Sequence, residues 1–333
     1  MLYIIIYALI FFARFAESLE DLIIGTDVDE VRGYLKREHS LVKPYQSGGM
    51  SIPNWDFIGG TMVTGQYIRL TPDQKSRNGA VWNVNPCFSR DWELQVSFAV
   101  HGSTGELFGD GMAIWYTRER GVMGDVFGSK NGFTGLGIFL DTYSNHNGPH
   151  NHGHPYVSAM VGNGSSLYDH DRDGTHTQLA GCEAKFRNKK FETNILIRYV
   201  DDAISVYVDY KGERRWELCF HVPGVRLPEA YYFGVSAATG DLSDNHDVNS
   251  IKMHEIDVPR PEKEAEVDRM NILPDAQYFA APRDHIPDAP PPKLSGFKMF
   301  MLVLIAIAAL AVFLFAGVVI FQKRQERSRK RFY

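Results

Sequence analysis

An uninterrupted apolar stretch near the C-terminus constrains this chain more than any other feature of its sequence. The 23 residues from Met299 to Phe321 include no charged side chain. A helix of that length measures roughly 35 Å, which is enough to cross the hydrocarbon core of a bilayer. Residues 322–333 then carry six Lys or Arg against one Glu, and a basic flank of this kind marks the cytoplasmic side. The sequence therefore predicts a transmembrane helix over 299–321, a cytoplasmic tail over 322–333 and a luminal N-terminal part.

The N-terminus carries a shorter apolar run. Residues 2–13 are apolar, about a dozen positions and too few to span a bilayer. The small residues Ala16 and Ser18 follow, as they do at the cleavage site of a signal peptide. We expect a signal peptide over 1–18. The alternative is a buried N-terminal helix or strand.

The composition changes sharply before the transmembrane segment. Eight of the sixteen prolines lie between Asp257 and Lys298, and Pro290 to Pro292 are consecutive. Such composition is typical of an extended spacer. We expect residues 258–298 to form a luminal stalk without packed structure, with at most a short helix near Glu262–Met270.

The remaining region, about residues 28–257, has the pattern of an all-β domain. From Trp92 to Val100, apolar residues occupy the even positions and mostly polar residues the odd ones, which is typical of a half-buried strand. Residues 203–209 alternate in the same way. Further predicted strands have the sequences "MAIWYTR", "YVSAMVG", "NILIRYV", "RWELCFHV" and "YYFGVSAAT". Many strands without a sustained helical pattern predict a sandwich of two antiparallel sheets.

Polar clusters interrupt the β pattern and predict a calcium site. In "GLGIFLDTYSN", a buried strand ends with Asp141 and Asn145, and the carbonyl of Tyr143 lies between them in the chain. Ca²⁺ takes six to eight oxygen ligands from carboxylates, carboxamides and backbone carbonyls. We expect a second carboxylate from the segment "YDHDRDG", residues 168–174, and note further clusters around Asp110 and Asp241.

Two other metal sites fit the sequence less well. Asp169, Asp171 and Asp173 match the start of an EF-hand loop, but position twelve would be Ala180, and no flanking helices are predicted. An acidic surface loop without a ligand is the alternative there. The stretch "HNGPHNHGHP" could offer imidazoles to zinc, but a solvated polar loop is the interpretation we favour. Its histidines are His146, His150, His152 and His154.

The sequence does not favour an enzyme. Pairs among the aspartates 110, 141, 173 and 241 could in principle serve a glycosidase, but the motifs G-x-S-x-G, HExxH, the P-loop and E-x-D-x-E do not occur. The net charge is −5, and we expect no nucleic-acid partner.

Five segments of the sequence resemble the animal L-type (leguminous-type) lectins of the early secretory pathway. They are "YLKREHSLVKPY", "NWDFIGGTMVT", "GDGMAIWYTRERG", "GLGIFLDTYSN" and "DRDGTHTQLAGCEAKFRN". The similarity extends from about Gly33 to the C-terminus. It implies a legume-lectin β-sandwich, or jelly roll, over residues 28–257. It also implies calcium-dependent binding of high-mannose N-glycans on cargo glycoproteins.

The resemblance also implies the site residues, position by position. The calcium ligands would be Asp141, the Tyr143 carbonyl, Asn145 and Asp173. The mannose pocket would consist of Ser76, Asp110, Tyr143, Asn145, His170, Gly240, Asp241 and Leu242. The family has a cis peptide before the residue that matches Asp110. Three cysteines leave the disulfide pairing open by themselves, and the resemblance implies Cys182–Cys219 with Cys87 free.

Two short motifs and the topology point to the secretory pathway. Asn163-Gly164-Ser165 is an N-glycosylation sequon in the predicted luminal part. Arg329-Lys330-Arg331 resembles an ER-retention signal that coat proteins recognise; the alternative is that these are only stop-transfer charges. We expect a type I cargo receptor of the ER, the intermediate compartment or the Golgi. A sandwich-fold glycosidase and a glycan-independent luminal scaffold remain alternatives.

The histidine-rich loop after Asn145 departs from the family pattern. Because it follows the predicted site directly, an effect on the preferred mannose arm or on pH sensitivity is a hypothesis.

Overall fold

The computed structural model describes residues 33–45, 52–103, 105, 108–145, 153–260, 268–281 and 296–329. The predicted signal peptide, three of the four loop histidines (His146, His150 and His152) and residues Lys330 and Arg331 lie outside these ranges.

Seventeen strands in the described part of the chain form two large antiparallel sheets and one small one. The eight-stranded sheet contains β1 (Gly33–Leu35), β3 (Met62–Val63), β4 (Ile68–Thr71), β6 (Trp92–His101), β11 (Thr193–Val200), β12 (Ala203–Asp209), β13 (Glu217–Pro223) and β16 (Asn245–Ile256). The seven-stranded sheet contains β2 (Trp55–Gly59), β5 (Asn78–Asn83), β7 (Gly111–Thr117), β8 (Thr134–Asp141), β9 (Tyr156–Asn163), β10 (Ala180–Glu183) and β15 (Tyr232–Ala238). The small sheet pairs β14 (Val225–Arg226) with β17 (Asp275–Ala276), and two 3₁₀ turns cover Arg37–His39 and His170–Arg172.

The predicted sandwich is confirmed, and alternating residues build its core. In β6, residues Trp92, Leu94, Val96, Phe98 and Val100 are all buried and join one large cluster with side chains of both sheets. Each predicted strand is present, because period-two alternation places every second side chain on the face that packs against the other sheet.

A second, smaller core covers the outer face of the seven-stranded sheet. Trp115 of β7 and Phe139 of β8 pack there against Phe127 and Phe133 from the connection between those strands, and against Tyr168. Strands β7 and β8 are therefore buried on both faces, which explains their almost continuous apolar sequences.

One disulfide joins the two large sheets. Cys182 of β10 and Cys219 of β13 are bonded across the edges of the sandwich. Cys87 is a free, buried cysteine, and burial raises the pKa of its thiol to about 12. It is therefore a small core residue and not a reactive thiol.

Part of the predicted stalk packs against the β domain, contrary to the expectation of an extended segment without packed structure. Strand β17 pairs with β14, and the Gln277 amide donates to the Gly224 carbonyl. The buried Arg269 side chain donates to the Tyr199 hydroxyl at 3.0 Å and to the Asp202 carboxylate. Composition alone indicated a spacer. The Arg269 side chain, the pairing of β17 with β14 and the Gln277–Gly224 hydrogen bond instead attach residues 268–281 to the domain.

The C-terminal apolar stretch is helical. Helix α1 covers Gly296–Arg329, and its segment Lys298–Gln325, which contains 18 consecutive residues with a mean hydropathy of 3.1, is long and apolar enough to cross a membrane. The predicted helix over 299–321 lies entirely within it. The chain divides into two compact units, residues 1–286 and 287–333, so the packed residues 268–281 belong to the first.

We expect Arg269→Gln to destabilise the β domain by about 2 kcal/mol. It leaves the Asp202 carboxylate without its cation, and the partial exposure of Asp202 reduces the cost below that of a fully buried pair. The melting temperature should fall by roughly 4–8 °C, and limited proteolysis should cleave residues 268–281 faster. Arg37→Gln, at an exposed arginine, is the matched control. Equal melting temperatures for the two variants would contradict the prediction.

Candidate functional site

The strand order of the seven-stranded sheet brings the predicted site residues to one edge. The start of β7 lies between the ends of β8 and β15, because Gly111 pairs with both Asp141 and Ala238. Ala238 also pairs with Asn78 at the start of β5, and Asp141 pairs with Tyr156 at the start of β9. The segments attached to these strand ends carry Ser76, Asp110, Asp141 to Asn145, His154 and Gly240 to Leu242.

Two buried carboxylates lie at the centre of this edge. Asp141, at the end of β8, is 6% exposed, and Asp173, after the second 3₁₀ turn, is 3% exposed. The Asp141 carboxylate accepts from the Tyr143 amide at 3.0 Å, and that of Asp173 accepts from the Asn145 amide at 2.8 Å. The two side chains therefore hold both ends of the segment from Tyr143 to Asn145.

The electrostatics of this pair favour a bound cation. Burial, reinforced by the neighbouring charge of Asp173, raises the pKa of Asp141 well above its ordinary value. The Tyr168 hydroxyl, 3.5 Å from the second Asp141 oxygen, is a weak donor to it. A divalent cation between the two carboxylates would remove their repulsion and favour the ionised form. The oxygen donors present fit calcium, and they come from the residues that the sequence predicts as ligands.

The left-handed conformation of Asp173 aims its carboxylate at this site. Asp173 has φ 49° and Gly174 has φ 67°. A Cβ added at Gly174 would lie 2.2 Å from the Tyr168 ring, so this position requires glycine. Asp169 instead caps the 3₁₀ turn by accepting from the Asp171 amide. The segment is therefore a turn that presents one carboxylate, and not an EF-hand loop.

His154 corrects the expectation that the histidine-rich segment is only a solvated loop. Its side chain is 6% exposed, and Nε2 lies 3.9 Å from Oδ2 of Asp141. His154, Asp141 and Asp173 each offer a ligand atom within 4.8 Å of the others. The sequence analysis considered His154 only as one of four histidines in a loop and favoured solvent exposure; the signal for burial was its position two residues before a predicted strand.

Asp110 lies beside the cation site in a closely packed environment. The Gly109–Asp110 peptide is cis. The Asp110 carbonyl accepts from both the amide and the hydroxyl of Thr142, at 3.0 and 2.9 Å, which joins it to the segment after β8. Burial raises the pKa of the Asp110 carboxyl. A half-buried carboxylate held in this way can accept hydrogen bonds from hydroxyl groups of a ligand.

The loop after β15 completes one side of the site. A Cβ added at Gly240 would lie 3.0 Å from Oδ2 of Asp110, so the loop backbone packs against that carboxylate. The Gly240 carbonyl accepts from the Ser76 amide at 3.0 Å, which brings Ser76 to the same edge. Asp241 is exposed and Leu242 half-buried, and Leu242 lies close to Gly109 and Tyr143.

His170 lies close enough to Asp110 to interact with it electrostatically. Its ring packs against Phe127 and Tyr168, and its Nε2 is 2.9 Å from the Asp125 carbonyl. Its charge lowers the pKa of Asp110 and so acts against the effect of burial. The structure therefore brings every predicted ligand and pocket residue to one edge of the sheet.

Sequence reasoning missed Arg187, which links the loop after β15 to the segment that precedes Asp110. Arg187 donates through Nε and Nη2 to the buried Asp244 carboxylate at 2.7 and 2.8 Å, and through Nη2 to the Ser103 carbonyl. Its guanidinium lies 3.9 Å from the ring centroid of Phe108. Asp244 follows the loop that carries Gly240, and Phe108 precedes Gly109. No local sequence pattern predicts the ion pair of Arg187 and Asp244, because the two residues lie 57 positions apart in the chain.

Comparisons with known proteins agree with this geometry. The family model described as the legume-like lectin family matches residues 32–263. The vesicular integral-membrane protein VIP36 of Mus musculus is 50% identical over 307 residues, 90% of this chain and 85% of that protein. The VIP36-like protein of Homo sapiens is 49% identical over 302 residues, 90% of this chain and 86% of that protein.

A solved structure is similar over the whole β domain. The crystal structure of the VIP36 exoplasmic/lumenal domain, in its Ca²⁺/Man₃GlcNAc-bound form, has 50% sequence identity and a TM-score of 0.70, and it covers 74% of this chain and 100% of that chain. With the family match over most of the β domain, these similarities establish that this chain is a member of the legume-like lectin family.

Proposed function

We propose that this protein is a membrane-anchored lectin that binds high-mannose N-glycans of glycoproteins in a calcium-dependent manner. The observation that carries the proposal is the pair of buried carboxylates, Asp141 and Asp173. Through backbone hydrogen bonds they order the segment that carries Asn145. The VIP36 domain, solved with Ca²⁺ and Man₃GlcNAc, supports the assignment of cation and ligand class.

Binding in this proposal depends on preorganisation. Asp141, Asp173, the Asn145 side chain and the Tyr143 carbonyl would hold the ion, which would supply a local positive charge. Asp110 and Asn145 then bind mannose hydroxyls, with Ser76, Tyr143, His170 and the 240–242 loop around them. A sugar hydroxyl gains little from hydrogen bonds that only replace water, so affinity requires these groups to be in place before the sugar arrives.

The two alternatives have less support. A glycosidase needs a carboxylic acid and a second carboxylate on either side of a glycosidic bond, whereas here the buried carboxylates of Asp141 and Asp173 lie together in a candidate cation site. Membership of a lectin family also favours carbohydrate binding without catalysis. A glycan-independent scaffold would not require the carboxylates of Asp141, Asp173 and Asp110 to lie together at one sheet edge.

The proposed cellular role is based on the C-terminal apolar helix and on the similarity to VIP36. We propose a type I topology, with the lectin domain over 28–257 in the lumen and the tail over 322–333 in the cytoplasm. VIP36 is named as a vesicular integral-membrane protein, which supports a role in cargo transport or quality control between ER and Golgi. The Arg329-Lys330-Arg331 motif would bind coat proteins. Asn163, an exposed residue at the end of β9, would carry a glycan.

The Asp141→Asn variant tests the calcium site. Loss of one carboxylate should abolish calcium binding and weaken binding of a high-mannose glycan by at least about 100-fold. The measurement is calorimetry of the full chain in detergent micelles, titrated with the glycan in calcium and then in EDTA.

Asp171→Asn is the matched control, because Asp171 is exposed in the same turn and its carboxylate does not reach the site. It should bind calcium and glycan as the native chain does. Glycan binding that persists in EDTA, or in Asp141→Asn, would exclude the proposed mechanism. A native chain that binds cargo equally well after removal of N-glycans would favour the scaffold.

The Arg187→Gln variant tests the positioning of the two sugar-binding loops. The buried Asp244 carboxylate would lose its cation, and the 240–242 loop would no longer be tied to the segment before Asp110. We expect the glycan Kd to rise about tenfold, equivalent to about 1.4 kcal/mol, while the calcium Kd stays within about twofold because neither loop supplies a predicted calcium ligand. Calorimetry with each ligand measures both constants.

Arg118→Gln is the control for this variant. Arg118 follows the opposite end of β7 and forms an exposed ion pair with Glu119, so its loss should change neither Kd. A tenfold loss of calcium affinity in Arg187→Gln would instead indicate a general loss of folding, which the melting temperature would reveal.

A further inference from the structure

A buried threonine lies where the loop after β15 meets the segment that carries Ser76. Ala238, the last residue of β15, pairs with Asn78, the first residue of β5. Thr239 follows β15 directly and therefore lies next to the Ser76 segment, residues 73–77, which precedes β5. Residues 73–77 are all exposed, whereas Thr239 is 5% exposed. One buried residue thus borders a segment that has little packing of its own.

Thr239 binds this segment through its side chain and its backbone. Its hydroxyl donates to the Gln74 carbonyl at 2.6 Å and accepts from the Arg77 amide at 2.9 Å. Its own amide donates to the Arg77 carbonyl at 2.8 Å. Because the hydroxyl acts as donor and as acceptor, a side chain of the same shape without it would lose both bonds.

The conformation of Ser76 requires such support. Ser76 has φ 55°, a left-handed conformation that a residue with a side chain adopts at a cost and keeps only where the surroundings hold it. The Thr239 hydroxyl binds the residues on both sides of it, Gln74 and Arg77. The Ser76 amide in turn donates to the Gly240 carbonyl at 3.0 Å.

The two segments are also joined at their other ends. The Ser243 hydroxyl donates to the Asp73 carboxylate at 2.6 Å, and the Asp73 amide donates to the Asn245 side-chain oxygen at 3.0 Å. Residues 73–77 and 239–245 therefore form one hydrogen-bonded wall of the pocket. Neither segment contains a predicted calcium ligand, so the bonds within this wall do not depend on the ion.

We propose that the Thr239 hydroxyl is a positioning group for mannose binding, which holds Ser76 against Gly240 and so orders one wall of the pocket without the cation. This inference rests on the sugar site of the proposed function and adds to it a residue that contacts neither sugar nor ion. The opposite wall, Tyr143–Asn145, is the one that the ion orders. Removal of calcium should therefore release one wall and leave the other in place.

The Thr239→Val and Thr239→Ser variants separate the hydroxyl from the shape of the side chain. Valine keeps the branched shape but has no hydroxyl, so the glycan Kd should rise about tenfold as the Ser76 segment loses its preorganisation. The calcium Kd should change by less than about twofold, because the ligands are untouched. Serine keeps the hydroxyl and should restore most of the glycan affinity. Calorimetry of the full chain in detergent micelles, with a high-mannose glycan and with CaCl₂, measures both constants.

Thr117→Val is the matched control. Thr117 is a buried threonine at the opposite end of β7, and its hydroxyl donates to the Glu119 carbonyl at 2.9 Å. The same substitution there removes a hydroxyl of similar burial but should change neither Kd. A glycan Kd that is native in Thr239→Val, or equally weakened in Thr239→Ser, would overturn the inference. So would equal losses of glycan and calcium affinity in Thr239→Val.

Amide hydrogen exchange gives a readout that a general loss of stability does not reproduce. In the native chain, the Ser76 and Arg77 amides should exchange slowly in calcium and equally slowly in EDTA, whereas the Tyr143 and Asn145 amides should exchange faster in EDTA. In Thr239→Val, exchange of the Ser76 and Arg77 amides should accelerate at least about tenfold while the core strands keep their protection. Protection of Ser76 and Arg77 that is lost in EDTA would overturn the inference even if Thr239→Val does not fold.

The two proposals fail in different ways. A native chain that binds calcium and glycan, with Thr239→Val binding both equally well, would refute the positioning role alone. A native chain that binds neither calcium nor glycan would refute the lectin site, and the exchange of the Ser76 and Arg77 amides would still show whether Thr239 orders the wall.

Discussion

The repulsion between two buried carboxylates is the constraint on which the functional edge of this protein depends. Asp141 and Asp173 are removed from water at the end of a strand that is apolar on both faces, and burial raises the pKa of Asp141. Without a cation, such an arrangement is costly. With one, the same pair becomes a rigid clamp that holds the Tyr143–Asn145 segment by its backbone amides. Sugar recognition in the proposed mechanism is therefore a consequence of how charge is buried in the sandwich.

The sandwich supplies this edge through strand order. Strands β7, β8 and β9 are consecutive in the chain, whereas their neighbours β15 and β5 are distant in sequence, and the antiparallel register aligns five strand ends. Loops can then differ in sequence while their anchoring points stay fixed. Arg187 strengthens the arrangement, because its guanidinium binds the Asp244 carboxylate and packs on the Phe108 ring. The site is thus held by cation, sheet and one buried ion pair together.

Local patterns predicted the elements well and the long-range contacts poorly. The alternation in Trp92–Val100 and the run "GIFLD" indicated strands because side-chain direction is a local property of an extended backbone. Proline content indicated a stalk, but Arg269 packs residues 268–281 onto the domain through partners about 70 positions away. Similarly, a Gly/Asn/Pro-rich context indicated solvent around the histidines, whereas register at the start of β9 buries His154. Such contacts depend on which strands become neighbours, and no short window of sequence contains that information.

The sequence by itself determined the transmembrane helix and the all-β class, and its resemblance to L-type lectins predicted Asp110, Asp141, Asn145 and Asp173 as site residues. Hydrophobic length, period-two alternation and motif similarity are all properties of contiguous residues. Only the tertiary structure decided that Asp141 and Asp173 are buried together, that His154 lies 3.9 Å from one of them and that Arg187 is paired with Asp244. Burial and electrostatic coupling arise when distant segments exclude water from one another, and they exist only in the folded chain.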